Sequence, residues 1–400
     1  VGQRSCMLSY ITYKSILKFK SNIFSWFSGK TSRVLEDIFK LIVASEIHMI
    51  ELMDEERLAS HSNHGLFQMS GLLSLSETLP FMSSSNFCHS FSIKNIQKML
   101  ESHFFQDGFH KEHSPMYHMF MTNYLVQLRL AGWLGDNAAL HKLADKAEET
   151  ASWYVLPDQT ILPLGDSKPN YPLKSACLFN INTDGNKKIS APEGFFHHKE
   201  GGIAIVSTYS NNSAIEHLTF SAQFHSRMHK HSDDLSIHYC VFGKQYLIDS
   251  GAYSYQYDAP ERMYIESTRA HNALSIDGLN YSRFRRDIYG SSLKLATQIG
   301  PYTLMEGFLN HRRLISPSIP NNKVKTSDSV SVDVKHRRRI FNVPGKFLVV
   351  LDEINSDTAH EYTQWFHFNP NLTIESGSEN ILRVKDGNKL HSSIHFIGEE

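Results

Sequence analysis

The sequence is poor in cysteine, in net charge and in long apolar stretches. Its four cysteines (Cys6, Cys88, Cys177, Cys240) are scattered and never form a C-x-x-C pair. That spacing excludes a thiolate zinc knuckle and indicates no disulfide framework. Cys240 alternates inside a predicted strand and reads as core. The formal net charge is −1 over 400 residues, so no overall basic field is available to hold a polyanion. A local basic groove is the remaining route, with Arg227, Lys230, Arg269 and the Arg283/Arg285/Arg286 cluster as its candidates. No apolar run reaches the roughly 20 residues that a membrane-spanning helix needs. The chain opens on Val1 without a methionine and without a clean secretion-signal pattern, which reads as a chain whose beginning is missing.

What is present describes a soluble globular protein: 41% apolar and 20% charged residues, long enough for two domains with their own cores. Aromatic content is 12%, with 17 Tyr and 25 Phe, which suits a sugar-binding cleft and equally a β-rich core. Residues 1–30 are mixed apolar and basic and carry little signal. From Ser32, apolar residues recur near helical spacing through Leu52. Ser62 or Asn63 is placed to cap a helix that carries Leu66 to Leu75 and stops at Pro80. Further helices are predicted over Ile93–Phe105, from Pro115 through Tyr117 to Ala131, and over Asn137–Tyr154. Helices with short loops argue for an all-α domain.

Prolines at 157, 163, 169, 172 and 192 mark a connecting segment. After Gly201 the chain reads as short strands: Ile203–Ser207, Leu218–Phe224, Leu235–Phe242, Gln245–Ile248, Asn272–Ile276, Leu293–Ile299, Val330–Val334, Arg339–Asn342, Phe347–Ile354, Glu361–Phe368 and Ile381–Val384. Turn signals between them suggest a β-sandwich. The predicted class is α+β multidomain. A helical domain covers 1–155, a linker 156–200 and an antiparallel β-sandwich 201–400.

The stretch from His229 to Gly278 organises the second half. His229 and His231 are two apart, so on an extended backbone they point the same way. A hairpin turning at Gly243–Lys244 leads to Asp249-Ser250-Gly251, and His271 opens the next strand. One hairpin and one return strand therefore bring His231, Asp249 and His271 together. Two imidazoles and a carboxylate match a zinc site with an open fourth position. The plainer reading is a polar strand face, since 23 histidines make chance pairs common.

Two strings stand out in the helical half: Ser62-Asn63-His64-Gly65-Leu66, and Asp107-Gly108-Phe109-His110-Lys111-Glu112-His113-Ser114-Pro115-Met116-Tyr117-His118. Each residue has an ordinary reading. Asn63 is a common cap and His64 follows it, Tyr117 packs with its hydroxyl at a rim, and Glu112 pairs with a basic neighbour or a helix N-terminus.

Taken together, S-N-H-G-L, D-G-x-H-K-E-x-S-P-x-Y-H, the Leu164–Ser167 string L-G-D-S, H-K-H-S-D-D-L-S, D-S-G and S-T-R-A-H-N, in this order, resemble the heparinase II/III family of polysaccharide lyases. That family includes oligoalginate lyases. The resemblance runs from about residue 32 to the C-terminus. It implies an (α/α) toroid followed by an antiparallel β-sandwich, and the shorter helical half here fits a missing N-terminal piece. It also implies β-elimination beside a uronic acid: the C5 proton is removed, the C4–O bond breaks and an unsaturated uronate remains. The difficulty is the weak acidity of a proton beside a carboxylate, so the site must stabilise that carboxylate as charge develops.

On the matching positions, Asn63 and His64 are implied for that task. Tyr117 is implied as the acid, able to serve also as base if positive charge depresses its pKa. His229 is implied as base or carboxylate partner. Glu112, Arg269 and, from the loop Tyr253–Tyr264, Tyr257 complete the expected substrate contacts. His231, Asp249 and His271 resemble a zinc site of several members, with a structural role in presenting His229, and Asp233 is expected to accept a proton from an imidazole. Phe67 departs from the family pattern, where many relatives place an acidic residue. The expected partner is an acidic polysaccharide or oligosaccharide, with no nucleic acid and no membrane span, and a homodimer is open. A periplasmic or secreted bacterial location is implied by the resemblance alone. Modest basic content points away from a heavily sulfated chain. The competing readings are a uronate C5-epimerase on the same scaffold and a non-catalytic polysaccharide-binding protein. A hydrolase with paired carboxylates is disfavoured because no acid pair stands out.

Overall fold

A computed structural model describes residues 2–21, 29–60, 62–173, 191–284, 286–287, 289–320, 322–378 and 380–398. Cys177 and Arg285 lie outside these. Helices come first: α1 (Gly2–Ser21), α2 (Gly29–Leu52), α3 (Asn63–Thr78), α4 (Ser85–His103), α5 (Pro115–Leu130) and α6 (Ala138–Ser152). Helix α1 was not anticipated. Its buried face carries the small hydroxyls Ser5, Ser9 and Thr12, while Met7, Tyr10, Ile11 and Leu17 are exposed. Ser9 Oγ donates to the Ser74 carbonyl of α3 at 2.9 Å. The buried face of α1 is thus lined by small hydroxyls rather than by an apolar stripe, and a hydrophobic-period search passes over it. Helix α4 begins eight residues before the predicted Ile93.

Strands follow. They are β1 (Gly194–His198), β2 (Ile203–Ser210), β3 (Ser213–Ser221), β4 (Gln223–Phe224), β5 (Ser236–Val241) and β6 (Lys244–Leu247). A short helix α7 (Pro260–Ile265) precedes β7 (Leu274–Ile276), β8 (Asn280–Tyr281), β9 (Gly290–Ser291) and β10 (Leu293–Ile299). Then come β11 (Tyr302–Ile315), β12 (Ser329–Val343), β13 (Phe347–Ser356), β14 (Tyr362–Gln364), β15 (Leu372–Ser376), β16 (Ile381–Asp386) and β17 (Lys389–His395).

One antiparallel sheet runs β1-β2-β3-β5-β6; another is the meander β10-β11-β12-β13, with β8 beside β11. Leu218, Phe220 and Ile237 from the first sheet share one apolar core with Met305, Leu309 and Ile340 from the second. This is the sandwich the alternating pattern predicts. The hairpin at Gly243 and the strand Leu293–Ile299 fall where expected. Two predicted pieces, Val330–Val334 and Arg339–Asn342, are one strand, β12. Its middle residues His336 and Arg338 point inward and are buried, which breaks the apolar alternation. The long strand β11 was missed for a similar reason. Gly307 interrupts it, because a side chain there would run into Leu235 and Phe220.

By density of contacts, one compact unit comprises Val1–Gln106 with Leu125–Leu143, and a second comprises Asp107–Tyr124 with Ala144–Glu400. The first holds α1 to α4. The second holds the start of α5 together with the whole sandwich.

Candidate active site

The site is assembled at the start of α5. Ser114 caps this helix, accepting from the Tyr117 backbone N–H at 3.4 Å, with Pro115 in the first helical position. Ser167 Oγ adds a second cap by accepting from the Met116 N–H at 3.0 Å. The string Leu164–Ser167 is thereby tied to the helix that carries Tyr117. Gly165 has φ +52°, and a Cβ there would strike the His229 carbonyl oxygen. Glycine is needed for that close approach. The Asp166 N–H then donates to the same carbonyl at 3.2 Å.

Asp166 is the hub. Its Oδ2 lies 2.9 Å from His229 Nδ1, and its Oδ1 lies 3.0 Å from His231 Nε2. Arg262, on α7, donates to both oxygens, Nη1 at 2.5 Å and Nη2 at 3.1 Å. Burial alone would raise this carboxyl. The hydrogen bonds from His229, His231 and Arg262 win and hold it well below the usual carboxylate range. Arg262 in turn pairs with Glu266 at 2.5 Å.

His229 adopts φ +56°, a left-handed conformation rare outside glycine. Its ring stacks on Tyr117 with centroids 3.6 Å apart and 18° between planes. With Nδ1 committed to Asp166, Nε2 faces Glu112, 3.6 Å from its Oε2. Burial pushes the Glu112 carboxyl up, while His229 pulls the other way. The Tyr117 hydroxyl meets the Tyr255 hydroxyl at 2.7 Å. Burial raises the Tyr117 pKa, and the nearby carboxylates Asp166 and Glu112 add to this against the Tyr255 hydrogen bond. The depression by positive charge considered from the sequence is not what this environment produces: Tyr117 is held as a phenol. Burial raises Tyr255 as well, and the hydrogen bond to Tyr117 adds to it.

The other expected residues have the following partners. Tyr257 lies over the Arg262 guanidinium, 5.4 Å from it, while Tyr255 is the loop tyrosine that reaches Tyr117. Arg269 lies over Tyr264 at 5.3 Å, and Arg262 takes the central cationic place. Asp233 bonds Lys230 rather than an imidazole. Asn63 and His64 open α3 in the first compact unit, Asn63 half-buried and His64 exposed, with Ser62 in the cap position.

His231, Asp249 and His271 are all buried. His271 Nδ1 lies 2.8 Å from Asp249 Oδ2, and the rings of His231 and His271 are 5.4 Å apart. His231 Nδ1 and His271 Nε2 have no hydrogen-bond partner. Each imidazole thus spends one nitrogen on a carboxylate and leaves its other nitrogen free in a buried place. That is the tautomer logic of metal-binding histidines oriented from behind. Asp249 stands behind His271 here, and its other oxygen accepts from the Gly251 N–H at 3.1 Å.

Asp166, Arg262 and Tyr255 were not singled out from the sequence. Asp166 lay in a quoted string, but nothing local marks it as the partner of histidines more than 60 residues away.

The chain is thus a two-part protein, a helical first part followed by an antiparallel sandwich with a histidine loop braced on a buried aspartate. Residues 14–180 match the heparinase II/III N-terminus, and residues 191–397 match the heparinase II/III-like C-terminal region. The chain belongs to the heparinase II/III family. Among solved structures, a heparinase III gene product matches with TM-score 0.67 at 18% identity, over 86% of this chain and 53% of its own. The heparan sulfate lyase HepC from Pedobacter heparinus matches with TM-score 0.65 at 16% identity, over 89% and 55%. A further heparinase III matches with TM-score 0.64 at 15% identity, over 95% and 61%. The chain therefore spans a little over half the length of these structures. No curated protein sequence matches it. No helix among the described residues is long and apolar enough to cross a membrane.

Proposed function

We propose that the protein is a polysaccharide lyase that cleaves a uronic-acid-containing polysaccharide by β-elimination. The observation that carries this reading is the stacked Tyr117–His229 pair, with His229 braced by Asp166 and Tyr117 joined to Tyr255. With Nδ1–H donated to the Asp166 carboxylate, His229 keeps a lone pair on Nε2, the form needed to take the C5 proton. Tyr117, kept as a phenol, donates its proton to the departing C4 oxygen. Tyr255 relays a solvent proton back to Tyr117 through the 2.7 Å hydroxyl contact, and His229 releases the C5 proton to solvent, which resets both groups.

Proton donor and acceptor lie against one another on one side, which favours syn elimination over C5 epimerisation, where the proton returns on the opposite face. Roles for Asn63 and His64 at the uronate carboxylate, and for Glu112, Tyr257 and Arg269 along the sugar chain, rest on the resemblance. The resemblance and the unpartnered nitrogens of His231 and His271 support a bound zinc, with Asp249 as ligand or brace, although in this structure the three side chains do not gather their ligand atoms at one point. A metal there would supply a fixed charge that locks the loop presenting His229. An acidic polysaccharide substrate, a periplasmic or secreted location and a homodimer belong to the same reading. A screen of alginate, heparan, hyaluronan and bacterial capsular polymers tests it. Elimination creates a conjugated double bond, so ultraviolet absorbance should grow with time; no absorbing product on any of them would sink the proposal.

A further inference from the structure

Arg338 is fully buried in the middle of β12, on the sheet opposite the one that carries the histidine loop. Its Nε and Nη2 donate to the two oxygens of Asp352 on β13, at 2.7 and 2.6 Å. The remaining nitrogen, Nη1, crosses the sandwich and donates to two backbone carbonyls, Leu235 at 2.9 Å and Asn272 at 2.6 Å. Neither carbonyl is in an ordinary place. Leu235 closes the loop that carries His229 and His231, and it has φ +60°, a conformation leucine adopts only at a cost. Asn272 directly follows His271. Its side chain spans Ile237 and Ile248, donating to their carbonyls at 2.8 and 2.9 Å. Arg283 acts similarly on the same loop, donating to the Lys230 carbonyl at 2.7 Å.

We infer that Arg338, aligned by Asp352, is a positioning residue that fastens together the two segments carrying His229, His231 and His271. The guanidinium fork is required. Two nitrogens engage the carboxylate while the third, with two hydrogens, spans two carbonyls, which a single ammonium cannot do. Asp352 is fully used: its Oδ1 also meets His336 Nε2 at 2.8 Å and its Oδ2 accepts from Gln364 at 2.6 Å. It therefore holds Arg338 in one orientation. The catalytic meaning of this clamp rests on the lyase reading; the clamp itself does not.

The test is amide hydrogen exchange on the intact chain, read by mass spectrometry, in Arg338→Lys and in the double variant Arg338→Met/Asp352→Leu. Replacing both charges with apolar groups removes the buried pair as a whole and spares the fold an unpaired charge. Peptides covering Met228–Leu235 and His271–Ala273 should exchange at least ~10-fold faster, while β2 and β3 keep their protection. In the elimination assay kcat should fall ~10-fold or more with a smaller change in KM, because orientation is lost while binding contacts remain. Wild-type exchange in both loops of either folded variant overturns the inference. So does acceleration spread evenly over β2 and β3, which a purely structural role would give. The exchange arm needs no substrate, so failure of the wild-type chain to eliminate would remove the lyase reading and leave the clamp to be judged on its own.

Discussion

Two buried aspartates, Asp166 and Asp352, have nearly the same partners and opposite surroundings. Each receives an arginine through two nitrogens and at least one histidine. Burial pushes both carboxyls up, and in both the cationic partners win and hold the carboxylate well below its usual range. At Asp352 the arginine, Arg338, points into the sandwich and ends on the backbone carbonyls of Leu235 and Asn272. At Asp166 they lead outward, through His229 to the Tyr117 ring and on to the half-exposed Tyr255. One kind of ion cluster thus serves two ends. On the readings proposed above, the cluster closed over by sheets fixes loops, and the one open toward tyrosines presents a base.

The sharpest way to break this comparison is at Tyr117. Tyr117→Phe removes one oxygen and keeps the stack on His229. Elimination should fall about 100- to 10,000-fold with the melting temperature nearly unchanged. Asp166→Asn should lose activity comparably, because the amide can donate to Nδ1 and favour the wrong tautomer of His229. Wild-type rates in Tyr117→Phe, followed by ultraviolet absorbance, would move the acid elsewhere.

Asp352→Asn should act first on stability. It leaves Arg338 buried without its carboxylate, a loss of about 3–5 kcal/mol in chemical denaturation. The pH dependence has a definite sign. The folded pKa of Asp352 lies below the unfolded value, so its contribution is complete above about pH 4 and is lost as pH falls further. Wild type should therefore lose its advantage over Asp352→Asn on acidification. An advantage that grows toward acid would show that the carboxylate is not the stabilised form.

Metal removal should have a smaller, more local effect. About one zinc per chain is expected, and chelation should lower the melting temperature and loosen the histidine loop, as when any ligand of the folded state is withdrawn. His231→Ala should abolish zinc retention. Elemental analysis that finds no zinc in gently purified protein, with activity indifferent to chelators, removes the metal and leaves the two free imidazole nitrogens to be explained otherwise.

Much of this was legible from residue order. The hairpin around Gly243, the strand Leu293–Ile299 and the helix begun by Pro115 follow from turn residues and alternation, whereas Tyr117 and His229 stood out only through the family resemblance that their strings carry. What was not legible depends on tertiary convergence. Asp166 is an ordinary acidic residue until two distant loops fold onto it. Arg262 is one cation among many, in a helix of only six residues. Helix α1 hid because hydroxyls face inward, and β12 was split because its inward positions carry His336 and Arg338. In each case a polar group occupies an inward position and is satisfied by a partner far away in sequence, which no local pattern encodes.

The choice between neighbouring tyrosines makes the smallest and most selective test. The resemblance favoured Tyr257; both Tyr255 and Tyr257 offer a ring face to Arg262, but only Tyr255 carries the hydroxyl contact to Tyr117. A phenyl ring keeps a cation–π contact, and loss of a hydroxyl that bonds no reacting group costs little. Tyr257→Phe should therefore change kcat by less than about twofold, whereas Tyr255→Phe, which cuts the proton path to Tyr117, should lower it by about tenfold or more. The reverse ranking would mean that the loop Tyr253–Tyr264 turns on binding substrate, and that the resting hydroxyl pair is not the one that works.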